Sequence, residues 1–538
     1  RYYRSLGPRA DLAPAARDSA NLPPARVAAF VTRGYAYVIL DVRGSGASFG
    51  SRRTELSPAE VRDGYDVVSW IVRQPWSDGK VGATGTSYVG TTAELLLSTG
   101  HPAVKAVAPL FALYDAYPDI VVPGGVPLSW FARTWGRGIA SLDRNAFLGE
   151  EARRTYTGVR PVDDDSTHGQ LDSALAEHRA NVEVEAQLAA IEFEDDSAPA
   201  DWTLDSVSPA NRQAGARARD VPVYSYSGWY DGAYPHAAIT RFRTLGNRGS
   251  RLIIGPWSHG GRYYFSPDVG TGLSAFDHVG EQLRFFDRYL KGVDTGIDRE
   301  PPVHYYTMGA ERWHTAGTFP PPQAQPQRWF FGAEGTVGPG ASGHPGCDRY
   351  TVDTTAGTGP TSRWNTLVGG GAVHYADRAP EDAKLLTYTS APLTAALEVT
   401  GYPVVTLYVT SDARDGQFFA YLESVDATGA VHYVTEGELR AVSRPIARAA
   451  PYDTPVEYRT FRRTDGRPMV NGEVTELRFH LLPTSYRFPR GSRVRVAIGG
   501  ADRDHFDPMR VAPPTLCVVR GGPTASRVDL PVMPSRSP

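Results

Sequence analysis

The chain has 538 residues, enough for two or three domains that each bury a core of their own. Its hydrophobic content of 41% and charged content of 21% are ordinary for a globular protein, and 56 basic residues nearly balance 59 acidic ones. This balance argues against nucleic acid or an anionic membrane as a partner, and no apolar run approaches the roughly 20 residues that cross a bilayer.

The chain start and the two cysteines carry little information about the compartment. The sequence opens "RYYRSLGPRA" without Met or a signal peptide, so we expect its natural beginning to lie upstream. The localisation stays open, with a soluble, cytoplasmic protein favoured slightly over a secreted one. Cys347 and Cys517 exclude a disulfide scaffold and a cysteine zinc cluster, but their spacing does not decide whether they pair.

The first hundred residues alternate between strand and helix signals. The apolar run "YAYVILDVRG" at 35–44 predicts a buried parallel strand. Ser57, Pro58 and Glu60 then predict a capped helix start. The further elements are a strand over Lys80–Ala83, a helix over Tyr88–Thr99 and a strand over 104–110. This alternation predicts an α/β class with a doubly wound, mostly parallel sheet, whose first part spans residues 1–112.

The rhythm is lost between residues 113 and 217, where the sequence is polar and helical. The clearest helix is predicted over 171–196. Residues 218–299 then return to the α/β pattern, with apolar strands over Val221–Ser227 and Leu252–Gly255. A helical insertion between two halves of one sheet is therefore predicted to form a cap over the functional site.

Residues 300–538 change composition again and are predicted to form a separate β-domain. Proline-rich linkers give way to segments with apolar residues at every second position, such as Val405, Leu407 and Val409. Short strands of this kind between Gly, Pro and Asp turns predict a β-sandwich or jelly roll.

Three polar residues follow strands of the predicted sheet in an order typical of serine hydrolases. Ser87 follows the strand that ends near residue 83, Asp231 follows the strand within "VPVYSYSGWYD", and His259 follows the strand within "RLIIGPWSHG". A serine hydroxyl needs a base to take its proton and a third group to orient that base. The chain order Ser, Asp, His is that of the α/β-hydrolases. Taken singly, each residue could equally serve in a turn or a helix cap.

The turn around Ser87 departs from the strict G-x-S-x-G motif, because Val89 stands where the second glycine belongs and Gly90 comes one residue later. The stretch "GTSYVG" resembles the elbow of the cocaine-esterase-like and X-Pro dipeptidyl-peptidase-like (CocE/NonD) serine hydrolases, in which the glycine is the third residue after the serine. Further motifs in the family's order are "GWYDG", "GPWSHG", "FFDRYLKG" and "LPTSYRFPRGSRVRVAIGGAD". The resemblance covers most of the chain and is weakest in the insertion.

The resemblance implies an α/β-hydrolase fold with Ser87 as nucleophile, Asp231 as the orienting acid and His259 as the general base. It also implies an oxyanion hole made of the backbone N–H of Tyr88 and a tyrosine hydroxyl. Only "RYYRS" matches the family's tyrosine stretch, so Tyr2 is the candidate and Tyr3 the alternative.

Substrate contacts are expected from aromatic residues near the site, since such side chains suit an apolar acyl or aryl group. Ordinary core packing is the alternative reading of each of them. The candidates are Trp130, Phe131 and Trp135 in the insertion, and Trp229 and Trp257 beside the triad.

These features predict a serine hydrolase that cleaves carboxylic esters of small molecules through an acyl-enzyme, with amides as a second substrate class. No metal and no organic cofactor is expected; the oligomeric state is open, and a homodimer is one possibility. An acylase or an X-Pro dipeptidyl peptidase of the same family is the alternative. In α-amino-acid ester hydrolases a glutamate stands at the position of Val89, so the uncharged Val89 favours an acyl group without a free amine. A catalytically silent carbohydrate-binding protein is the alternative outside the enzymes.

Overall fold

A computed structural model describes residues 6–8, 24–146, 156–162, 164–197, 202–340, 345–509 and 513–534 of the chain. Within them, a parallel sheet flanked by helices is followed by antiparallel sheets. The elements of the first part are β1 (Leu6–Pro8), α1 (Pro24–Thr32), α2 (Pro58–Ile71), β2 (Val81–Thr86), α3 (Tyr88–Ser98) and β3 (Val104–Leu110).

Among the described residues of the insertion after β3, the regular elements are helices and one short strand, β4, which pairs with β1. Its elements are α4 (Ser129–Asp143), β4 (Tyr156–Val159), α5 (Gly169–His178), α6 (Val184–Ala189), α7 (Leu204–Val207) and α8 (Gln213–Arg217). The chain then returns to the sheet with β5 (Tyr224–Tyr230), α9 (Tyr234–Leu245), β6 (Arg251–Ser258), β7 (Tyr263–Ser266), β8 (Gly270–Leu273), α10 (His278–Lys291), β9 (Val303–Thr307) and β10 (Arg312–Ala316).

The sheet confirms the predicted α/β class. Its strands run in the order β10-β9-β6-β5-β3-β2, and every neighbouring pair from β9 to β2 is parallel. The last residues of β2 and β3, Thr86 and Leu110, lie opposite each other, and Leu110 lies opposite Tyr226, near the middle of β5, which continues to Tyr230. Side chains that follow these strands are therefore brought to one edge of the sheet.

The strand predicted over residues 35–44 is absent from the structure, in which residues 35–42 form no ladder. β2 is the last strand on its side of the described sheet, and residues 35–43 lie across a groove of about 1130 Å³ from it. Val38 and Leu40 are 39% and 49% exposed. A buried parallel strand needs a hydrogen-bonded neighbouring strand, and no strand in the described part of the chain pairs with this segment.

The long helix predicted over 171–196 is divided into α5 and α6. The chain leaves the helix at Asn181, whose side-chain amide donates to the Gly44 carbonyl at 2.9 Å and accepts from the Arg52 N–H at 2.7 Å. Val182 N–H also donates to the Arg52 carbonyl, at 2.9 Å. These contacts with residues 44–52 replace the hydrogen bonds that a continuous helix would make.

The C-terminal residues form two antiparallel sheets. The larger sheet contains β11 (Gln325–Phe331), β12 (Val337–Gly338), β13 (Gly346–Thr351), β15 (Leu397–Gly401), β16 (Val404–Ser411), β19 (Thr475–His480), β20 (Thr484–Phe488), β22 (Thr515–Arg520) and β23 (Arg527–Val532). The smaller sheet contains β14 (Leu386–Thr389), β17 (Gln417–Val425), β18 (Val431–Arg440) and β21 (Arg493–Gly499). A short helix, α11 (Ala379–Asp382), precedes β14. The predicted alternation holds in β16, where Val405, Leu407 and Val409 are fully buried.

Cys347 on β13 and Cys517 on β22 form a disulfide between neighbouring strands, which decides the pairing that the sequence left open. None of the helices in the described ranges is both long and apolar enough to cross a membrane.

Candidate active site

Ser87 occupies the turn between β2 and α3 in an unusual backbone conformation. Its φ of 64° and ψ of −129° lie in a region that non-glycine residues rarely adopt. Two backbone hydrogen bonds hold the turn: Ser87 N–H donates to the Leu110 carbonyl at 2.9 Å, and Thr91 N–H donates to the Ser87 carbonyl at 2.9 Å. A strained serine between a strand and a helix is the geometry of a nucleophile elbow.

The glycines around Ser87 allow close contacts that any side chain would block. A Cβ at Gly85 would lie 2.3 Å from Cγ1 of Val89. A Cβ at Gly90 would lie 2.7 Å from the Gly85 carbonyl oxygen and 2.8 Å from that of Leu110. Gly90, which stands one residue later than the second glycine of the strict motif, is thus the residue that lets α3 pack against β2 and β3. Val89 fills the space beside Gly85.

Asp231 and His259 follow the adjacent strands β5 and β6 and are hydrogen-bonded to each other. His259 Nδ1 donates to Asp231 Oδ1 at 2.6 Å, and the two residues are 4% and 0% exposed. The second carboxylate oxygen, Oδ2, accepts from the Ser227 hydroxyl at 2.9 Å. Both carboxylate oxygens are therefore held in place, and the imidazole is fixed with its Nδ1 proton toward the acid.

The opposite nitrogen, His259 Nε2, is buried and has no hydrogen-bond partner among the described residues, Ser87 included. The loop of His259 nevertheless lies beside the strand that ends at Ser87, because a Cβ at Gly260 would be 3.9 Å from Cγ2 of Thr86. The ring of Phe111, which follows β3, packs against the imidazole with centroids 6.1 Å apart. The structure thus brings the predicted acid and base into contact and places the serine turn next to the base, with an unpaired imidazole nitrogen that can accept a proton.

His278 supports the turn after His259 from behind. Its Nε2 donates to the Gly261 carbonyl at 2.8 Å, and its Nδ1 accepts from the Tyr226 hydroxyl at 2.5 Å. Burial lowers the pKa of His278 to about 4. A neutral His278 with both ring nitrogens used in hydrogen bonds has a structural role.

Tyr88 is the first residue of α3, where a helix presents N–H groups to an anion. Its hydroxyl donates to the Glu60 carboxylate at 2.7 Å and accepts from Leu56 N–H at 3.2 Å, so the side chain is anchored to the start of α2. Tyr2 and Tyr3, the candidates for the second oxyanion donor, lie outside the described residues.

Two of the aromatic substrate candidates lie in the hydrophobic core. Trp229 and Trp257 are each 1% exposed. The indole N–H of Trp229 donates to the Tyr306 carbonyl at 2.7 Å, and Trp257 stacks on Tyr226 with centroids 5.4 Å apart. For these two residues the structure matches the core-packing reading.

The other three aromatic candidates lie on α4, in the insertion. Phe131 stacks on Trp135 with centroids 6.2 Å apart, and the indole N–H of Trp135 donates to Glu55 at 2.7 Å. The backbone N–H of Trp130 donates to the His505 carbonyl at 3.0 Å. Helix α4 thus joins the loop before α2 to the C-terminal part of the chain.

A buried ion pair behind the site was missed by the sequence analysis. Arg241 on α9 donates to Glu94 on α3 at 2.5 Å and to the carbonyls of Ala112 and Leu113 at 3.0 and 2.7 Å. Both side chains are almost fully buried. The pair links the helix that follows Ser87 to the helix that follows Asp231. Neither the Arg241–Glu94 pair nor the hydrogen bond from Ser227 to Asp231 belongs to a sequence motif. Both can be recognised only in the assembled structure.

Comparisons with known proteins agree along nearly the whole chain. Residues 2–261 match the family described as X-Pro dipeptidyl-peptidase (S15 family), and residues 295–515 match the X-Pro dipeptidyl-peptidase C-terminal non-catalytic domain. A Mycobacterium bovis protein named as a serine esterase is 49% identical over 529 residues, which cover 94% of this chain and 84% of the relative. The cocaine esterase of a Rhodococcus species is 27% identical over 511 residues, which cover 89% and 82% of the two chains.

A solved structure extends this similarity to the fold. The crystal structure of a CocE/NonD family hydrolase from Staphylococcus aureus matches with a TM-score of 0.67 at 18% identity, and the match covers 91% of this chain and 79% of that one. At this identity the likeness shows a shared fold.

Proposed function

Since the chain belongs to the X-Pro dipeptidyl-peptidase (S15) and CocE/NonD family of hydrolases and has its α/β-hydrolase-like fold, we propose that it cleaves carboxylic esters through an acyl-enzyme. In this proposal Ser87 is the nucleophile, His259 the general base and Asp231 the acid that orients the base. The observation that supports it most is the buried Asp231–His259 hydrogen bond beside the strained turn of Ser87.

The proposed reaction follows from these positions. As Ser87 Oγ attacks the ester carbonyl carbon, its proton passes to His259 Nε2. The negative charge on the carbonyl oxygen is stabilised by the backbone N–H of Tyr88 and by the hydroxyl of Tyr2, or alternatively of Tyr3. His259 then gives its proton to the departing alcohol, and the Ser87 ester is left. Water attacks this ester and gives a proton to the same imidazole, which returns it to Ser87 Oγ as the acid leaves.

We place esters ahead of amides as substrates for two reasons. The relative with 49% identity is named as a serine esterase, and the elbow carries the uncharged Val89 beside Ser87. A small-molecule ester with an apolar acyl group fits such a turn better than one with a free amine. In the same proposal α4–α8 act as a cap over the site, and the sheets that follow β10 form a jelly-roll domain.

A fluorophosphonate probe tests the nucleophile. We expect the wild-type protein to be labelled and a folded Ser87→Ala variant to remain unlabelled, because the probe reacts with an activated serine. Labelling that persists in the variant would remove Ser87 from this role. Rates on p-nitrophenyl esters and on Ala-Pro-p-nitroanilide then rank the substrates, and faster cleavage of the anilide would favour a peptidase.

A further inference from the structure

A segment of the C-terminal part of the chain, residues 362–371, packs against the loop that carries Asp231. The side chain of Arg363 is fully buried. Its Nη2 donates to the carbonyls of Trp229 and Gly232 at 2.6 and 2.7 Å, and its Nε donates to the Gly232 carbonyl at 3.0 Å. These two carbonyls flank Asp231, so one guanidinium closes the turn that presents the acid.

The chemistry of this contact suits arginine in particular. The planar guanidinium holds its donors in a rigid fork, so it can bind two carbonyls at a fixed separation. The hydrogen-bond acceptors of Arg363 in the described structure are these carbonyls and the Thr435 hydroxyl at 3.4 Å, with no carboxylate among them. A buried cation costs free energy unless its hydrogen bonds are satisfied. The hydrogen bonds of the guanidinium therefore fix backbone, while its charge also favours the ionised form of the buried Glu436.

The same segment touches the rest of the loop and the base. Gly232 N–H donates to the Arg363 carbonyl at 3.3 Å, and a Cβ at Gly232 would lie 2.8 Å from the side chain of Leu367. A Cβ at Gly370 would lie 2.8 Å from the His259 carbonyl oxygen. Neither the acid turn nor the base turn can shift toward the C-terminal part without displacing this segment.

The segment is itself anchored within the C-terminal part. The Ser362 hydroxyl is hydrogen-bonded to His505 Nε2 at 3.2 Å, and the Trp364 indole donates to Glu436. Each of these four side chains is buried. Arg363 thus connects the antiparallel sheets of the C-terminal part to the loop that carries Asp231.

We propose that Arg363 is a positioning residue for the hydrolysis and that the region matched as a non-catalytic domain takes part in the reaction through it. The inference rests on the proposed function, because it assumes that Asp231 orients the base. Arg363 acts through the backbone of residues 229–232 and does not touch the reacting atoms. Without the Arg363 side chain, the Asp231 carboxylate can move relative to the His259 imidazole. A displacement of about 1 Å lowers the catalytic rate about 100-fold.

The test compares Arg363→Met with Arg378→Met in the whole chain. Arg378 is also a buried arginine of the C-terminal part, but it pairs with Glu423 at 3.1 Å and with the Gly357 carbonyl at 2.9 Å, away from the acid loop. kcat and KM on p-nitrophenyl butyrate are measured per active site, with active sites counted by the fluorophosphonate endpoint. This normalisation removes any loss that is due only to unfolded protein.

We expect Arg363→Met to lower kcat per active site by about 30-fold to 100-fold, with KM changed less than about threefold. Arg378→Met is expected to keep kcat within twofold of wild type. Arg363→Lys, which keeps the charge but not the fork, should recover part of the loss and also decides the matter if the Met variant does not fold.

Two outcomes overturn the inference. One is a folded Arg363→Met enzyme with the kcat of Arg378→Met, and the other is an Arg363→Lys enzyme with wild-type kcat in the case that Arg363→Met does not fold. If Ser87→Ala abolishes labelling in the same series, only the positioning role is lost and the proposed function stands. If Ser87→Ala is still labelled, the proposed function fails and the inference fails with it.

Discussion

Removing one hydroxyl beside the acid measures how much the orientation of Asp231 contributes to the reaction. In Ser227→Ala, Asp231 Oδ2 loses the donor that lies 2.9 Å away in a fully buried site, while Oδ1 keeps its bond to His259. A hydrogen bond to a charged group contributes about 1.5–3 kcal/mol. Since the bond to the base survives, we assign about half of this to the reaction, and about 1.4 kcal/mol corresponds to a tenfold fall in kcat/KM.

The same strand provides a matched control for this experiment. Ser225 also lies on β5 and is fully buried, and its hydroxyl has no hydrogen-bond partner among the described residues. We expect hydrolysis of p-nitrophenyl butyrate to fall about tenfold in Ser227→Ala and to stay within twofold of wild type in Ser225→Ala. Equal rates in the two variants would refute the reasoning, because the contact with Asp231 would then contribute nothing beyond side-chain volume.

Three further predictions concern stability. The pKa of Glu94 is raised to about 7, because burial disfavours the carboxylate more than Arg241 favours it. Between the unfolded pKa of about 4.5 and about 7 the folded state binds more protons, so the contribution of Glu94 to the free energy of unfolding falls as pH rises, by about 3 kcal/mol in all. Other buried carboxyls with raised pKa values, such as Asp119 and Glu438, contribute to the pH dependence of both proteins. Urea unfolding at several pH values should therefore show a steeper fall in the wild type than in Glu94→Gln, and equal slopes would contradict it. Glu94→Leu at pH 8 should lower the free energy of unfolding by about 3–5 kcal/mol, because Arg241 would be buried without its partner, and a loss below about 1 kcal/mol would contradict that. Cys347→Ser should lower stability by up to about 5 kcal/mol, since the bond to Cys517 closes a loop over a sequence separation of 170 residues. A melting temperature unchanged by the substitution and by dithiothreitol would count against a disulfide in solution.

The sheet could be predicted because its strands are apolar runs that end in polar residues. The observed β5 and β6 extend to Tyr230 and Ser258, so that Asp231 and His259 follow directly, as the sequence order predicts. Local signals also sufficed for the start of α2, where the Ser57 hydroxyl accepts from Glu60 N–H at 3.2 Å. In each case the information lies within about ten residues of the feature.

The two wrong element predictions fail because neighbours distant in sequence decide the outcome. Residues 35–44 have the composition of a buried strand, but the composition does not say which strand pairs with them. The helix over 171–196 is broken at Asn181 by hydrogen bonds to residues 44 and 52, more than 120 positions earlier. Periodicity describes one segment and carries no information about such partners.

The same limit separates the predicted part of the site from the part that was missed. Asp231 and His259 could be proposed from strand ends and chain order alone. Arg363 lies 131 residues from the Gly232 carbonyl that it binds, in a region with no sequence feature of catalysis. Ser227 could have been noticed only as a small polar residue four positions before the acid, which is too common to single out.

The position of the second glycine in the serine turn follows from where α3 begins. Because the helix starts at Tyr88, residue 90 is the one that meets the carbonyls of Gly85 and Leu110, and a side chain there would force the helix away from β2 and β3. The side chain of residue 89 packs against Gly85 instead, so a branched residue fits at position 89 only because residue 85 has no side chain. In the motif G-x-S-x-x-G, the close approach of the helix to the strands therefore occurs one residue later than in the strict G-x-S-x-G motif. The contacts that this approach permits hold the strained φ of Ser87.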